Sequence, residues 1–94
     1  MNREHVLYHM LEAEDELRRT LADLKEDRLS AEAFQVQMEH LYTHLNIAWN
    51  VRAERPAAVA AMSDADFHRW RQFPDDVIIS IAAVKSQRSW KAPK

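Results

Sequence analysis

An all-α fold is predicted by three features of this sequence. It contains no glycine in 94 residues. Its apolar residues recur at steps of three and four. Two serines stand in matching helix-start contexts. Glycine is the default residue for left-handed turns, strand bulges and phosphate-cradling loops, and an average chain this long holds about six or seven. Its absence favours helices joined by short connections and removes every chemistry built on a Gly-rich loop. The predicted architecture is a small helical bundle: a long antiparallel helical hairpin with two shorter helices packed against it, in one domain spanning residues 1–94.

The first helix is predicted over Asn2–Glu26. Val6, Met10, Ala13, Leu17, Leu21 and Leu24 mark one face of a 3.6-residue period, flanked by Leu7 and Leu11. The next start reads Leu29-Ser30-Ala31-Glu32-Ala33-Phe34. Ser30 is placed to cap, with Leu29 and Phe34 at the staple positions. This helix runs over Ala31–Ala53 and is stopped by Pro56. So short a link near residues 27–29 makes the two helices an antiparallel hairpin. Residues 57–62 form one turn or a connector. Met62-Ser63-Asp64-Ala65-Asp66-Phe67 repeats the start signal, with Asp66 positioned to complete a capping box. That short helix is predicted over Asp64–Gln72. A last, largely buried helix is predicted over Asp75–Gln87, its two aspartates meeting the helix dipole. Residues 89–94 read as a frayed basic tail.

Composition narrows the function classes. Apolar residues make up 47% and charged residues 30%, a globular balance. Cysteine is absent, so no disulfide, thiolate metal site or thiol nucleophile exists. That fits a cytoplasmic setting, and the N-terminal residues show no signal-peptide pattern. The longest apolar stretch, Val77 to Val84, falls far short of the roughly 20 residues of a membrane span. Residues 1–50 carry ten acids against five Lys/Arg, and residues 51–94 five acids against eight. The basic end is explained by the helix dipole. Without a basic stripe interleaved with aromatics, nucleic-acid binding is not expected.

The histidines are the remaining chemical signal. His5 with His9, and His40 with His44, form two i, i+4 pairs, a spacing a transition metal can bridge. The wheel of the first helix puts His5, His9, Glu12 and Glu16 opposite its apolar face, so this cluster is read as a solvated face without function. The second helix has two apolar faces. Phe34, Met38, Leu41, Leu45 and Trp49 are expected to pack on the first helix. Val36, His40, His44, Ile47 and Val51 lie roughly opposite, beside a polar strip of Gln35, Glu39, Thr43, Asn46 and Asn50. A helix with two apolar faces is covered on both. The second stripe is therefore assigned to an interface between two copies of the chain, or to the cover of the last helix.

No set of residues supplies nucleophile, base and stabiliser together, so an enzyme is not expected. No cofactor is expected. Trp49 and Trp70 read as core or interface anchors, and Trp90 as folding back onto the core or anchoring a partner. Arg52 is placed to stack on Trp49 or cap the helix end. The reading is a cytoplasmic, non-enzymatic protein–protein interaction module. It forms a homodimer through Val36, His40, His44, Ile47 and Val51. The alternative is a metal- or small-ligand-binding protein using His40 and His44.

Overall fold

The computed structural model describes residues 1–77, and these are all-helical, with no strand among them. Helix α1 spans Arg3–Lys25, α2 Ala31–Asn50, α3 Pro56–Ala60 and α4 Asp64–Trp70. The long pair α1 and α2 packs together as a hairpin, with α3 touching α1 and α4 touching α2. The last predicted helix is not helical over residues 75–77, and the rest of it, with Trp90 and the basic tail, lies outside the described residues.

Each helix start follows from its sequence. The Asn2 side chain accepts from the His5 amide at 3.3 Å and caps α1. The Asn2 amide donates to the Arg52 carbonyl at 2.7 Å, pinning the start of α1 to the end of α2. Ser30 Oγ accepts from the Ala33 amide at 3.1 Å. At α4 the capping box is complete: Ser63 Oγ accepts from Asp66 N at 3.1 Å, and Asp66 Oδ2 accepts from Ser63 N at 3.2 Å. α2 ends at Asn50, short of the expected Ala53 and before Pro56 can act on it, and Pro56 serves instead as the first residue of α3, where its missing N–H costs nothing.

The hairpin turn solves a problem the composition sets. The chain leaves α1 through Asp27 at φ 54°, the left-handed position that glycine usually takes. Asp27 N donates to the Leu24 carbonyl at 3.2 Å and Arg28 N to the Asp23 carbonyl at 2.9 Å, closing the helix end. Aspartate is among the few side chains that tolerate this region.

The core is small. Ile47 and Val51 from α2, Val59 from α3 and Trp70 from α4 form one buried cluster, with Val51 fully enclosed. Two asparagines of α2 hold α4 in place. Asn50 Nδ2 donates to the carbonyls of Trp70 at 2.7 Å and Gln72 at 3.0 Å, and Asn46 Nδ2 to that of Arg71 at 2.9 Å. These carbonyls belong to the helix end, which has no intrahelical donors left. Asn50→Ala is expected to lower stability by about 1–2 kcal/mol, the net worth of such bonds. A thermal melt that matches the parent would show the clamp to be idle.

The seam between α1 and α2 departs from the sequence expectation. Its buried line on α1 is His9, Ala13, Glu16 and Thr20, not the leucine stripe. Ala13 and Ala48 are small and let the backbones approach, while polar groups pair across the seam. The Thr20 hydroxyl lies 2.9 Å from the Glu16 carbonyl and within hydrogen-bonding reach of Gln37 Oε1. Gln37 Nε2 donates to Asp23 Oδ2 at 3.2 Å. That bond and the Arg28 guanidinium hold the Asp23 carboxyl below the usual carboxylate range. The leucines turn outward instead: Leu17, Leu21 and Leu24 are each close to half exposed.

Candidate functional site

Two features stand out: a histidine-lined cleft and a bare apolar face. The cleft, about 480 Å³, is bounded by His5, Tyr8 and His9 of α1 and by His40, Thr43, His44 and Ile47 of α2. Val59 and Ala60 of α3, with Met62 and Phe67 at α4, close its apolar side. Both i, i+4 histidine pairs therefore reach one cavity, because the two helices run antiparallel and α3 and α4 fold back across them.

His9 is its centre. It is 9% exposed, which overturns its assignment to a solvated face. Its Nδ1 lies 3.1 Å from His44 Nδ1, with ring centroids 5.3 Å apart and planes tilted by 37°. The Tyr8 ring meets it edge-on at 5.0 Å. Burial, then the neighbouring His44 and His5, push the His9 imidazole down to about 4. The ring is therefore neutral near pH 7, and the pair is held by one nitrogen donating and the other accepting.

The other histidines are oriented by neighbours. His5 Nδ1 lies 3.3 Å from Asn2 Oδ1. His40 Nδ1 faces the buried Glu16 carboxylate at 3.6 Å, and that carboxylate also accepts from Arg19 at 2.8 Å. The predicted pair His40 and His44 is thus split: His44 meets His9, whereas His40 is drawn toward Glu16. Among the described residues, no three His, Cys, Asp or Glu groups already stand together in a metal-holding arrangement. Nor, among them, is a hydroxyl hydrogen-bonded to an imidazole: Thr43 Oγ1 is spent on the Glu39 carbonyl at 2.7 Å.

The predicted interface stripe also divides. Ile47, 2% exposed, and Val51, fully buried, lie inside this chain, covered by Val59 and Trp70. They are not available to a second copy, and their cover is α3 and α4 rather than the last helix. His44 is half-buried against His9, while Val36 and His40 remain exposed. Trp90 lies outside the described residues.

The face expected to pack on α1 is instead partly bare. Phe34, Leu45 and Trp49 are 41%, 38% and 39% exposed. On each helix the exposed apolar stripe lies about a quarter-turn from the seam. The helices are antiparallel, so both offsets open on the same side of the hairpin. Leu17, Leu21 and Leu24 thus adjoin Phe34, Met38 and Leu45, opposite the side that α3 and α4 close. At one end Arg52 stacks 3.8 Å over Trp49 and caps its carbonyl at 2.8 Å. Asp76 accepts from the Trp49 indole at 2.8 Å and from Arg52 at 3.0 Å, which holds its carboxyl low. Asp76 therefore tethers the chain to α2 instead of facing a helix dipole.

Sequence reasoning missed His9 because it oriented α1 by counting leucines. The available signal was the line His9, Ala13, Glu16, Thr20, one small residue among hydrogen-bonding ones at helical spacing. No protein-family model, curated protein or solved structure matches this chain. Among the described residues, no helix is long and apolar enough to cross a membrane.

Proposed function

We propose that this protein is a non-enzymatic interaction module that self-associates through the open face of its hairpin. The observation that carries the reading is the inversion of the hairpin, polar in its seam and apolar on one outer side. Large contiguous apolar surfaces on a small monomer mark interaction sites. A second copy is the occupant that fits. Two such faces related by a twofold axis bury both stripes as a four-helix bundle. The face carries no charge that demands an opposite one, and the charges beside it on α1 are matched within the helix, as Arg18 with Glu14. A strip about 30 Å long and two helices wide offers about 600 Å² per copy. That approaches the about 800 Å² per partner of a standard interface. A cytoplasmic setting belongs to the same proposal and is supported by the cysteine-free sequence.

Relative to the sequence reading, the interface keeps α2 but moves to its other stripe and gains α1. Light scattering of the full chain near neutral pH is expected to report a dimer. Leu21→Glu with Leu45→Glu is expected to give a monomer of unchanged helicity, because both residues face outward in the single chain. A parent that is monomeric at high concentration overturns the proposal and assigns the face to the chain's own remaining residues. A double variant that unfolds overturns it as well.

A further inference from the structure

We propose that the histidine cleft is a transition-metal site of the zinc class, with His9 and His44 as its first ligands, His5 as its third, and solvent in the fourth position. The site is independent of the apolar face, since it opens on the opposite side of the hairpin.

The geometry starts from the facing nitrogens. His9 Nδ1 and His44 Nδ1 are 3.1 Å apart. In a tetrahedral zinc site with bonds of about 2.0–2.1 Å, two ligand nitrogens sit about 3.3–3.4 Å apart. A slight opening of the pair admits the ion between them. On binding, the donating imidazole gives up its Nδ1 proton and carries it on Nε2 instead, so that both Nδ1 lone pairs face the ion, which would bridge α1 and α2 at the seam.

His5 is the third ligand by position and by chemistry. It lies one turn before His9 on α1, the i, i+4 spacing at which two imidazoles share an ion, and it lines the same cavity. Its Nδ1 lies 3.3 Å from Asn2 Oδ1. An Nδ1–H donated there fixes the tautomer and leaves the Nε2 lone pair for the metal. Metal-bound histidines commonly carry such an acceptor on their other nitrogen. Asn2 is itself 5% exposed and held by its own amide to Arg52, so the acceptor is fixed in place. His5 is only half-buried, so its ring has room to rotate toward the His9–His44 pair, a rotation that binding requires because the three imidazoles do not stand together in the metal-free chain. His40 lines the same cavity but is left out of the set because its side chain is 60% exposed and its Nδ1 faces the Glu16 carboxylate, which Arg19 also holds. Three histidines and water make the open type of zinc site, and the cleft mouth supplies the path for the ion.

The test is isothermal titration of Zn²⁺ into the full chain, expressed without a tag and stripped of metal, near neutral pH. One ion per chain is expected. His44→Gln and His9→Gln are expected to weaken binding by about 100-fold or more, and His5→Gln and Asn2→Ala by about 10–100-fold. His40→Gln and His68→Gln are expected to bind as the parent does. Helicity is followed in every variant, and His5→Gln keeps the test decisive if a seam variant fails to fold. Co²⁺ in place of Zn²⁺ is expected to give the intense visible bands of tetrahedral nitrogen coordination, lost in His44→Gln. Absence of stoichiometric binding, or equal binding by parent and His44→Gln, overturns the proposal and leaves the pair as a neutral hydrogen bond.

Discussion

Trp70→Ala is expected to remove about 3–5 kcal/mol of stability, the usual cost of deleting a large buried aromatic. Trp70 is 6% exposed and is the largest side chain in a core of four, with Ile47, Val51 and Val59. No other described aromatic ring is buried there. Its loss leaves a cavity over Val51 and undocks α4, so the Asn50 clamp loses its orientation as well. Small domains have about 5–15 kcal/mol in total, so the variant is expected to populate the unfolded state on mild warming. Chemical denaturation followed by circular dichroism measures the change. Trp70→Phe should recover most of the loss. A loss below about 1 kcal/mol would mean that the core lies elsewhere.

Acidification of the metal-free protein is expected to weaken the hairpin through His9. Its imidazole drops from an ordinary 6.5 to about 4 in the folded chain. Between those values the unfolded chain binds a proton that the folded chain refuses. Stability from this group is therefore whole above about pH 6.5 and shrinks as pH falls toward 4. The groups facing His9 are His5 and Tyr8 on its own helix and His44 across the seam, none of which offers a negative charge. The full gap corresponds to about 3 kcal/mol. The cleft admits solvent, and about 2 kcal/mol is the expected fall. The carboxylates of Asp23, Asp66 and Asp76 titrate below their usual range, so their losses come later, under more acid conditions. His9→Gln should flatten the curve between pH 6.5 and 4 while leaving that later loss intact. A parent whose stability does not change across this window would show the ring to be solvated.

The parts of the fold written in local chemistry were legible. Ser30 and Ser63 begin their helices as their neighbours indicate, whereas Pro56 opens α3 rather than ending α2. The direction each helix faces was not legible. A hydrophobic stripe identifies a face that needs cover, but it does not say which neighbour supplies it. In α1 the leucines point away from α2, and the seam is taken by Ala13 and hydrogen-bonding residues. The same ambiguity concealed the site. His44 was paired with His40 in the sequence, but its neighbour across the seam is His9, which only the pairing of the two helices reveals. Ile47 and Val51 were assigned to a second copy or to the last helix because the connector after Pro56 gave little sign that Val59 would fold back over them.

The polar seam also sets a rule for how this sequence can change. Leucines on the outer face are interchangeable, since Leu17, Leu21 and Leu24 ask only for apolar volume. The seam works as a key. Sliding α2 by one helical turn, about 5.4 Å, takes Glu16 from His40 and Thr20 from Gln37. Alignment of the hairpin is therefore encoded by specific partners, and the leucines of the other face take no part in it. Substitutions at the seam should survive in matched pairs across the two helices, whereas the outer face can drift one residue at a time.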